Sequence, residues 1–275
     1  MVAQYDFYQA DAFADGPLLG NPAAVMPMDA FPDAAVMQAI AAENNLAETA
    51  FLVRTGDDGW DLRWFTPAVE VPLCGHATLA AAHVLFNHCG FDGDTVRFAT
   101  QSGELTVSRM ADGRLEMDFP VTKTSPLPAP DLIDRAAARI GVTPEGMWSC
   151  GMFLLVQLGG EDEVRALRIA PRQVVALHED MCGGPGNAIF SAAGDSTHDV
   201  VSRVFAPGAG IDEDPVTGSA HCAIAPIFSS LLQKQTLSCF QAYPGRGGVV
   251  ETQMAGERVK LRGRAVTVIE GRFSL

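Results

Sequence analysis

The stretch Phe65–Phe86 reads FTPAVEVPLCGHATLAAAHVLF, and the stretch Phe205–Leu232 reads FAPGAGIDEDPVTGSAHCAIAPIFSSLL. Each predicts a strand, a loop and then a buried helix that opens at a glycine, Gly75 or Gly218. A helix that opens with a glycine and a small residue leaves backbone N–H groups free to bind an anion. The repetition therefore predicts a duplicated fold with an anion held between its two halves.

Length and charge limit the class of protein and the kind of partner. The 275 residues are 48% hydrophobic and 19% charged, which suffices for a globular core and predicts one large or two medium domains. The formal net charge of −14 repels nucleic acid phosphates and anionic membrane surfaces, so we expect neither as a partner. A small anionic substrate is compatible with this charge, because a helix N-terminus can outweigh a distant field.

The cysteine pattern and the lack of targeting signals favour a cytoplasmic protein. None of the six cysteines forms a C-x-x-C pair, and no grouping of cysteine and histidine has the spacing of a zinc site. Met1–Ala10 lacks the basic start and apolar core of a signal peptide. No run of about 18 apolar residues predicts a membrane span. The thiols are therefore expected to be reduced.

The order of predicted elements favours an α+β fold, because helices mix with antiparallel strands without regular βαβ alternation. Each half runs from strands through a buried helix to a hairpin or meander. We expect two pseudo-equivalent halves, residues 1–122 and 131–264, with a connection at 123–130. The C-terminal strand 265–275 is a candidate addition to the first half. A cleft between such halves is a common place for an active site.

Two shorter patterns give local predictions. Gly16–Pro27 is rich in glycine and proline and is predicted to be a loop with a turn at Gly20–Pro22. Ala111–Gly113 separates the strand patterns Glu104–Arg109 and Arg114–Phe119, which predicts a β-hairpin.

Glu48 is the first candidate for proton chemistry. It stands between the polar helix end Asn44–Asn45 and the apolar strand start Ala50–Leu52. A carboxylate at such an edge can be partly desolvated, which suits it to act as a general base. The alternative interpretation is a solvated glutamate at a helix-to-strand junction.

Three further polar residues lie at the two helix openings. His76 could donate to a substrate carbonyl or carry a proton, and the alternative is a histidine that caps the helix. Asp214 is a candidate site carboxylate, although Asp212 and Glu213 beside it favour a solvated acidic turn. Ser219 could hold a carboxylate oxygen together with neighbouring N–H groups, or serve as a plain N-cap.

Two thiols raise a different hypothesis, in which they act from opposite faces of a substrate carbon. Cys74 precedes its helix glycine whereas Cys222 follows Gly218, so the two are not pseudo-equivalent. Cys222 is therefore interpreted as a buried residue within the helix. Gly183–Gly186 and Gly208–Gly210 lack the spacing of nucleotide-binding loops.

Five blocks of this sequence occur in the order typical of one family. They are Gly20–Val25 (GNPAAV), Asn45–Phe51 (NLAETAF), Phe65–Pro67 (FTP), Glu70–Thr78 (EVPLCGHAT) and Glu213–Ala220 (EDPVTGSA). In these blocks the chain resembles the phenazine-biosynthesis PhzF-like isomerase family. Cys74 makes it more similar to the broad branch of that family than to the phenazine-pathway enzymes.

The resemblance implies the diaminopimelate-epimerase-like fold, in which each half wraps a mostly antiparallel sheet around its central helix. It implies that Glu48 transfers the proton, with His76, Asp214 and Ser219 lining the site. It also implies that backbone amides from two short segments hold the substrate: Gly75 and Ala77, and Gly218, Ser219 and Ala220. No metal, no organic cofactor and a homodimer are further implications of the resemblance.

The favoured function is a cofactor-independent isomerase that moves a proton on a small carboxylate-bearing substrate. One alternative is an epimerase or racemase of an amino or hydroxy acid that uses Cys74 with Glu48 or Asp214. A second alternative is a non-catalytic protein that binds a small ligand or a partner.

Overall fold

The computed structural model describes residues 4–127, 129–195 and 197–275. Residues 1–3 of the predicted first half and residue 128 of the predicted connection lie outside this part of the chain. Helices and strands mix throughout the described residues, which confirms the predicted α+β fold.

The strands are β1 (Gln4–Ala12), β2 (Asn21–Met28), β3 (Glu48–Arg54), β4 (Gly59–Phe65), β5 (Glu70–Val71), β6 (Thr95–Thr100), β7 (Gly103–Arg109), β8 (Leu115–Pro120), β9 (Ser125–Pro126), β10 (Gly146–Cys150), β11 (Phe153–Gln157), β12 (Ala188–Ala193), β13 (Val200–Ala206), β14 (Ile211–Asp214), β15 (Thr236–Gln241), β16 (Gly248–Ala255), β17 (Arg258–Gly263) and β18 (Ala265–Ser274). The helices are α1 (Ala34–Asn44), α2 (Gly75–His88), α3 (Pro130–Ile140), α4 (Glu161–Ala166), α5 (Pro171–Cys182) and α6 (Gly218–Leu232), with a 3₁₀ turn at Pro207–Ala209.

The chain divides into two compact units. Unit 1 comprises the residues up to Asp118 together with Arg262–Leu275, and unit 2 comprises Phe119–Leu261. The end of the chain returns to unit 1 because β18 pairs antiparallel with β1, from Ala265 opposite Ala12 to Ser274 opposite Gln4.

Unit 1 is built on a mostly antiparallel sheet. The strand order is β18, β1, β2, β3, β4, β6, β7 and β8, and β5 adds antiparallel to β4. Only β2–β3 and β4–β6 are parallel among the pairs of this sheet that the described residues form. The hairpin of β7 and β8 confirms the turn predicted at Ala111–Gly113.

Unit 2 repeats this order with β9, β10, β11, β12, β13, β15 and β16, and β14 adds antiparallel to β13. The parallel pairs again occupy matching places, β11–β12 and β13–β15. The predicted duplication is therefore confirmed for the strands from β1 to β7 and from β10 to β16, because their pairing partners and directions agree.

Side-chain packing repeats as well. Phe51 and Phe65 meet edge to face at 5.5 Å in unit 1, and Phe190 and Phe205 do so at 5.7 Å in unit 2. An arginine lies over the second ring of each pair, Arg63 at 5.3 Å from Phe65 and Arg203 at 5.1 Å from Phe205. Such aromatic and cation–π contacts need specific geometry, so their recurrence indicates equivalent surroundings.

One helix is central to each unit. Each of these helices is apolar on nearly all sides, and a helix of that kind is buried because it has no polar face to turn to solvent. In α2 the residues from His76 to Ala82 are all buried. In α6, apolar residues pack against strand residues of the same unit: Ala220, Ala223, Ile224, Ile227 and Phe228 contact the cluster of Ile189, Val204 and Leu237.

The prediction of a loop over Gly16–Pro27 is wrong from Asn21 onwards. Residues Asn21–Met28 form β2, which pairs with β1 and β3. Pro22 and Pro27 lie near the ends of the strand, and the run Ala23–Met26 between them is completely buried. A strand buried on both faces shows a continuous apolar run instead of alternation, which conceals it among prolines.

In the part of the chain that the structure describes, no helix is both long and apolar enough to cross a membrane.

Candidate functional site

The N-terminus of α2 carries the first group of candidate residues. Cys74 is the N-cap, with an extended backbone, and its side chain makes no capping hydrogen bond. One turn into the helix, Thr78 Oγ1 donates a hydrogen bond to the Cys74 carbonyl oxygen at 2.5 Å. The leading N–H group at Gly75 therefore receives no cap from the Cys74 side chain.

Glu48 is the first residue of β3 and is only 8% exposed. The solvated alternative is therefore wrong for this residue. Its Oε2 lies 3.0 Å from His76 Nε2. Neither atom has a partner in hydrogen-bond geometry among the described residues, so the ring N–H does not point at this oxygen. A carboxylate oxygen that is buried and not held by a hydrogen bond can accept a proton from elsewhere.

The other ring nitrogen of His76 faces two side chains. Its Nδ1 lies 3.2 Å from the amide nitrogen of Asn21, which is completely buried at the start of β2, and 3.5 Å from Cys74 Sγ. Gly20 sets the position of Asn21, because its φ is +65° and a Cβ there would lie 2.2 Å from the Ala12 carbonyl oxygen.

The charges of this cluster affect one another. Burial favours a neutral imidazole, but the neighbouring Cys74 and the Glu48 carboxylate outweigh it and raise the pKa of His76 well above its usual value. Burial, with the Glu48 charge, raises the pKa of the Cys74 thiol. The raised pKa of His76 favours its imidazolium form next to Glu48.

The same three side chains are the candidates for a metal site. Glu48, Cys74 and His76 each offer a ligand atom within 4.8 Å of the others. However, the imidazole faces the carboxylate with one nitrogen and the thiol with the other, and a single ion binds only one of them. A metal would also require the Cys74 thiol to lose its proton, which burial opposes. The contacts therefore fit proton exchange better than metal ligation.

Asp214 ends β14 and is buried, in contrast to the predicted solvated turn. Thr217 Oγ1 donates to Asp214 Oδ2. Glu213 next to it is not solvated either, because it forms a double hydrogen bond with the buried Arg203 at 2.7 and 2.8 Å. Only Asp212 of this acidic run is exposed.

The N-terminus of α6 resembles that of α2. Thr217 is the N-cap and makes no side-chain capping hydrogen bond. Gly218 and Ala220 are buried, whereas Ser219 is exposed and lies one residue inside the helix, so its interpretation as the N-cap is wrong. Cys222 lies within α6 as predicted, and burial raises its pKa to about 12.

Strand register identifies which residues of the two units are equivalent. Thr49 pairs with Phe65 in unit 1, and Ala188 pairs with Phe205 in unit 2. The preceding residues, Glu48 and Asn187, therefore occupy the same position. Counting from the helix glycines Gly75 and Gly218 makes further equivalent pairs: Glu70 and Glu213, Cys74 and Thr217, His76 and Ser219, Ala77 and Ala220.

The structure thus brings Glu48, His76, Gly75 and Ala77 together within unit 1, and Asp214, Gly218, Ser219 and Ala220 within unit 2. Sequence reasoning assigned no role to three of their neighbours, Asn21, Thr217 and Gln241. Asn21 and Thr217 lie inside quoted motifs, so their polar side chains beside glycine were a usable signal. Gln241 has no local signal, because it contacts a turn 24 residues away in sequence.

Comparisons with known proteins agree over the full chain. The family model described as phenazine biosynthesis-like protein matches residues 10–271. An uncharacterized isomerase of Pseudomonas aeruginosa is 43% identical over 272 residues, covering 99% of each chain. A crystal structure of a PhzF family protein from Enterococcus faecalis has a TM-score of 0.91 at 38% identity, covering 99% of this chain and 100% of that one. A probable proline racemase of Agrobacterium radiobacter K84 shares the fold, with a TM-score of 0.60 at 11% identity over 97% of this chain and 92% of that one.

Proposed function

Because the chain belongs to the phenazine biosynthesis-like (PhzF) family and is an isomerase, we propose that it moves a proton between two positions of a small carboxylate-bearing substrate. In this proposal Glu48 is the general acid and base. The reaction uses the chain's own side chains, without a metal or an organic cofactor.

The observation that carries the proposal is the state of the Glu48 carboxylate. It is buried, its Oε2 has no partner in hydrogen-bond geometry among the described residues, and His76 Nε2 lies 3.0 Å from it. A base that must take up and release a proton needs an oxygen that no fixed hydrogen-bond donor occupies.

The proposed reaction removes one proton from the substrate and returns one proton to it. Glu48 Oε2 removes a hydrogen from a substrate carbon, and the electron pair of the broken C–H bond moves into the substrate. The protonated Glu48, whose proton exchanges with solvent, then delivers a proton to a second carbon, which shifts the double bond. The His76 imidazolium stabilises the negative charge that develops between the two steps.

The proposal also assigns substrate-binding groups within each unit. The leading N–H groups at Gly75 and Ala77 in unit 1, and separately those at Gly218, Ser219 and Ala220 in unit 2, are each proposed to bind an anionic group of a substrate. Asp214 is proposed to accept a hydrogen bond from a substrate donor. Helix N-termini supply positive partial charge, so they suit an anion despite the net charge of −14.

The test is solvent deuterium uptake into a panel of cyclic and amino-acid carboxylates. We expect wild type to label at least one of them and Glu48→Gln to lose at least about 10²-fold of that rate. Glu43→Gln is a matched control, because Glu43 is an exposed glutamate of α1. Undiminished uptake by Glu48→Gln would overturn the assignment of the base.

A second candidate function is favoured by one contact, the 3.5 Å between Cys74 Sγ and His76 Nδ1. An epimerase that uses Cys74 would remove a proton from one face of a stereocentre. The position of unit 2 that is equivalent to Cys74 holds Thr217, so it offers no second thiol. Loss of uptake in Cys74→Ser would favour this function, and retention would favour the isomerase.

We also propose that the protein is a homodimer, as its family resemblance implies, and that it is cytoplasmic, as its cysteine pattern favours. Light scattering of the purified protein tests the dimer: a mass near twice 29.2 kDa supports it, and a mass near 29.2 kDa contradicts it.

A further inference from the structure

Gln241 is a completely buried amide at the end of β15. It makes three hydrogen bonds with the turn that precedes α6. Its Oε1 accepts the backbone N–H of Thr217 at 2.9 Å, and its Nε2 donates to the Asp214 carbonyl oxygen at 2.7 Å and to Thr217 Oγ1 at 3.2 Å. The first contact fixes the orientation of the amide, because a backbone N–H can only donate.

This orientation determines where the Thr217 hydroxyl hydrogen goes. Since Oγ1 receives a hydrogen from Gln241, its own hydrogen is directed at another acceptor, which is Asp214 Oδ2. The hydrogen bonds therefore run one way, from Gln241 through Thr217 to the Asp214 carboxylate. A one-way chain of this kind strengthens each of its members in a buried environment.

The chain of hydrogen bonds also affects the helix. A threonine at the N-cap ordinarily accepts an N–H from the first turn. Thr217 makes no such bond, because its hydroxyl is held on Asp214. The amides at the start of α6 therefore receive no cap from the Thr217 side chain.

We infer that Gln241 and Thr217 are positioning residues. They orient the Asp214 carboxylate and keep the Thr217 hydroxyl away from the leading amides of α6. The inference rests on the proposed function, in which Asp214 and those amides contact the substrate, whereas Gln241 acts on both through Thr217.

Three variants separate positioning from folding. Gln241→Leu removes all three bonds, Thr217→Val removes the hydroxyl at nearly constant shape, and Thr217→Ser retains it. The control is Ser202→Ala, because Ser202 is the strand partner of Gln241 and its Oγ has no hydrogen-bond partner among the described residues. We expect kcat/KM for deuterium uptake to fall about 10²-fold in Gln241→Leu and Thr217→Val, as for a misplaced site group. Thr217→Ser and Ser202→Ala should stay within a few-fold of wild type.

A second readout does not depend on a substrate. In protein labelled with ¹³C at aspartate carboxyls, the Asp214 signal is assigned by its absence in Asp214→Asn. We expect it to move at pH 7 in Gln241→Leu and Thr217→Val and to stay in place in Thr217→Ser and Ser202→Ala. An unmoved signal in Thr217→Val would overturn the inference. A moved signal without deuterium uptake by wild type would support the positioning role and count against the proposed function instead.

Discussion

Units 1 and 2 share strand order, strand direction and even an arginine stacked on an aromatic pair, yet they differ at the positions that we propose carry the chemistry. Unit 1 has Glu48 and His76 where unit 2 has Asn187 and Ser219. A carboxylate beside an imidazole can exchange a proton, whereas a carboxamide and a hydroxyl only donate and accept hydrogen bonds at neutral pH. The duplication therefore provides two similar frameworks, of which one carries the residues proposed for proton transfer.

The two units also differ in how they hold the loop before the central helix. Arg63 and Glu70 form a double hydrogen bond in unit 1 with about a quarter of each side chain exposed (28% and 23%). Arg203 and Glu213 form the equivalent bond in unit 2 with 5% and 15% exposed. Arg203 also donates to the Leu167 carbonyl oxygen at 2.7 Å.

The difference in burial predicts the largest effect on stability. We expect Glu213→Gln to lower the free energy of unfolding by about 3–5 kcal/mol, because it leaves the Arg203 charge buried without its partner. Glu70→Gln at the equivalent position should cost about 1 kcal/mol or less. Urea unfolding of the two variants measures this, and equal losses would show that burial does not distinguish the pairs.

Giving unit 1 the serine of unit 2 tests the imidazole. We expect His76→Ser to reduce kcat/KM for deuterium uptake about 10²-fold, as when one preorganised charge-stabilising group is lost. An unchanged rate would mean that the Glu48 carboxylate works without the imidazolium. The difference between His76 in unit 1 and Ser219 in unit 2 would then have no effect on the reaction.

The raised pKa of His76 predicts a pH dependence that the serine of unit 2 cannot have. A pKa that is higher in the folded than in the unfolded state stabilises the fold below the unfolded value, about 6.5, and this contribution disappears as pH rises through the folded value. The difference in unfolding free energy between wild type and His76→Gln should therefore be larger at pH 6 than at pH 10. A difference that grows with pH would contradict the imidazolium.

The smallest effect is expected at the N-caps. Cys74→Thr makes the α2 N-cap match that of α6, and neither side chain caps its helix. If Cys74 takes no part in the proton transfer, deuterium uptake should stay within about tenfold, or 1.4 kcal/mol, of wild type. A larger loss would favour the epimerase.

The duplicated fold could be predicted from the sequence because its signals are local. The two helix openings and the hairpin at Ala111–Gly113 lie within short windows that apolar periodicity and turn residues define. The same dependence on local signals explains why β2 was predicted to be a loop, because Pro22 and Pro27 are turn-forming residues within its short sequence. Only pairing with β1 and β3 explains why the residues between them are buried.

The candidate site was predictable in part. Glu48 and His76 were named from motifs, and the structure brings them to 3.0 Å. The side chains that hold the site residues in place could not be predicted, because Asn21 is 55 residues from His76 and Gln241 is 24 residues from Thr217. The equivalence of Glu48 and Asn187 likewise depends on strand register, which no short motif encodes.

The central claim is that proton transfer belongs to the Glu48 position and not to its counterpart. The most direct test compares solvent deuterium uptake by Glu48→Asn, which gives unit 1 the carboxamide of unit 2, with uptake by Asn187→Ala, with circular dichroism to show that both variants fold. We predict that uptake disappears in Glu48→Asn and persists in Asn187→Ala. Uptake that survives in Glu48→Asn would contradict the account.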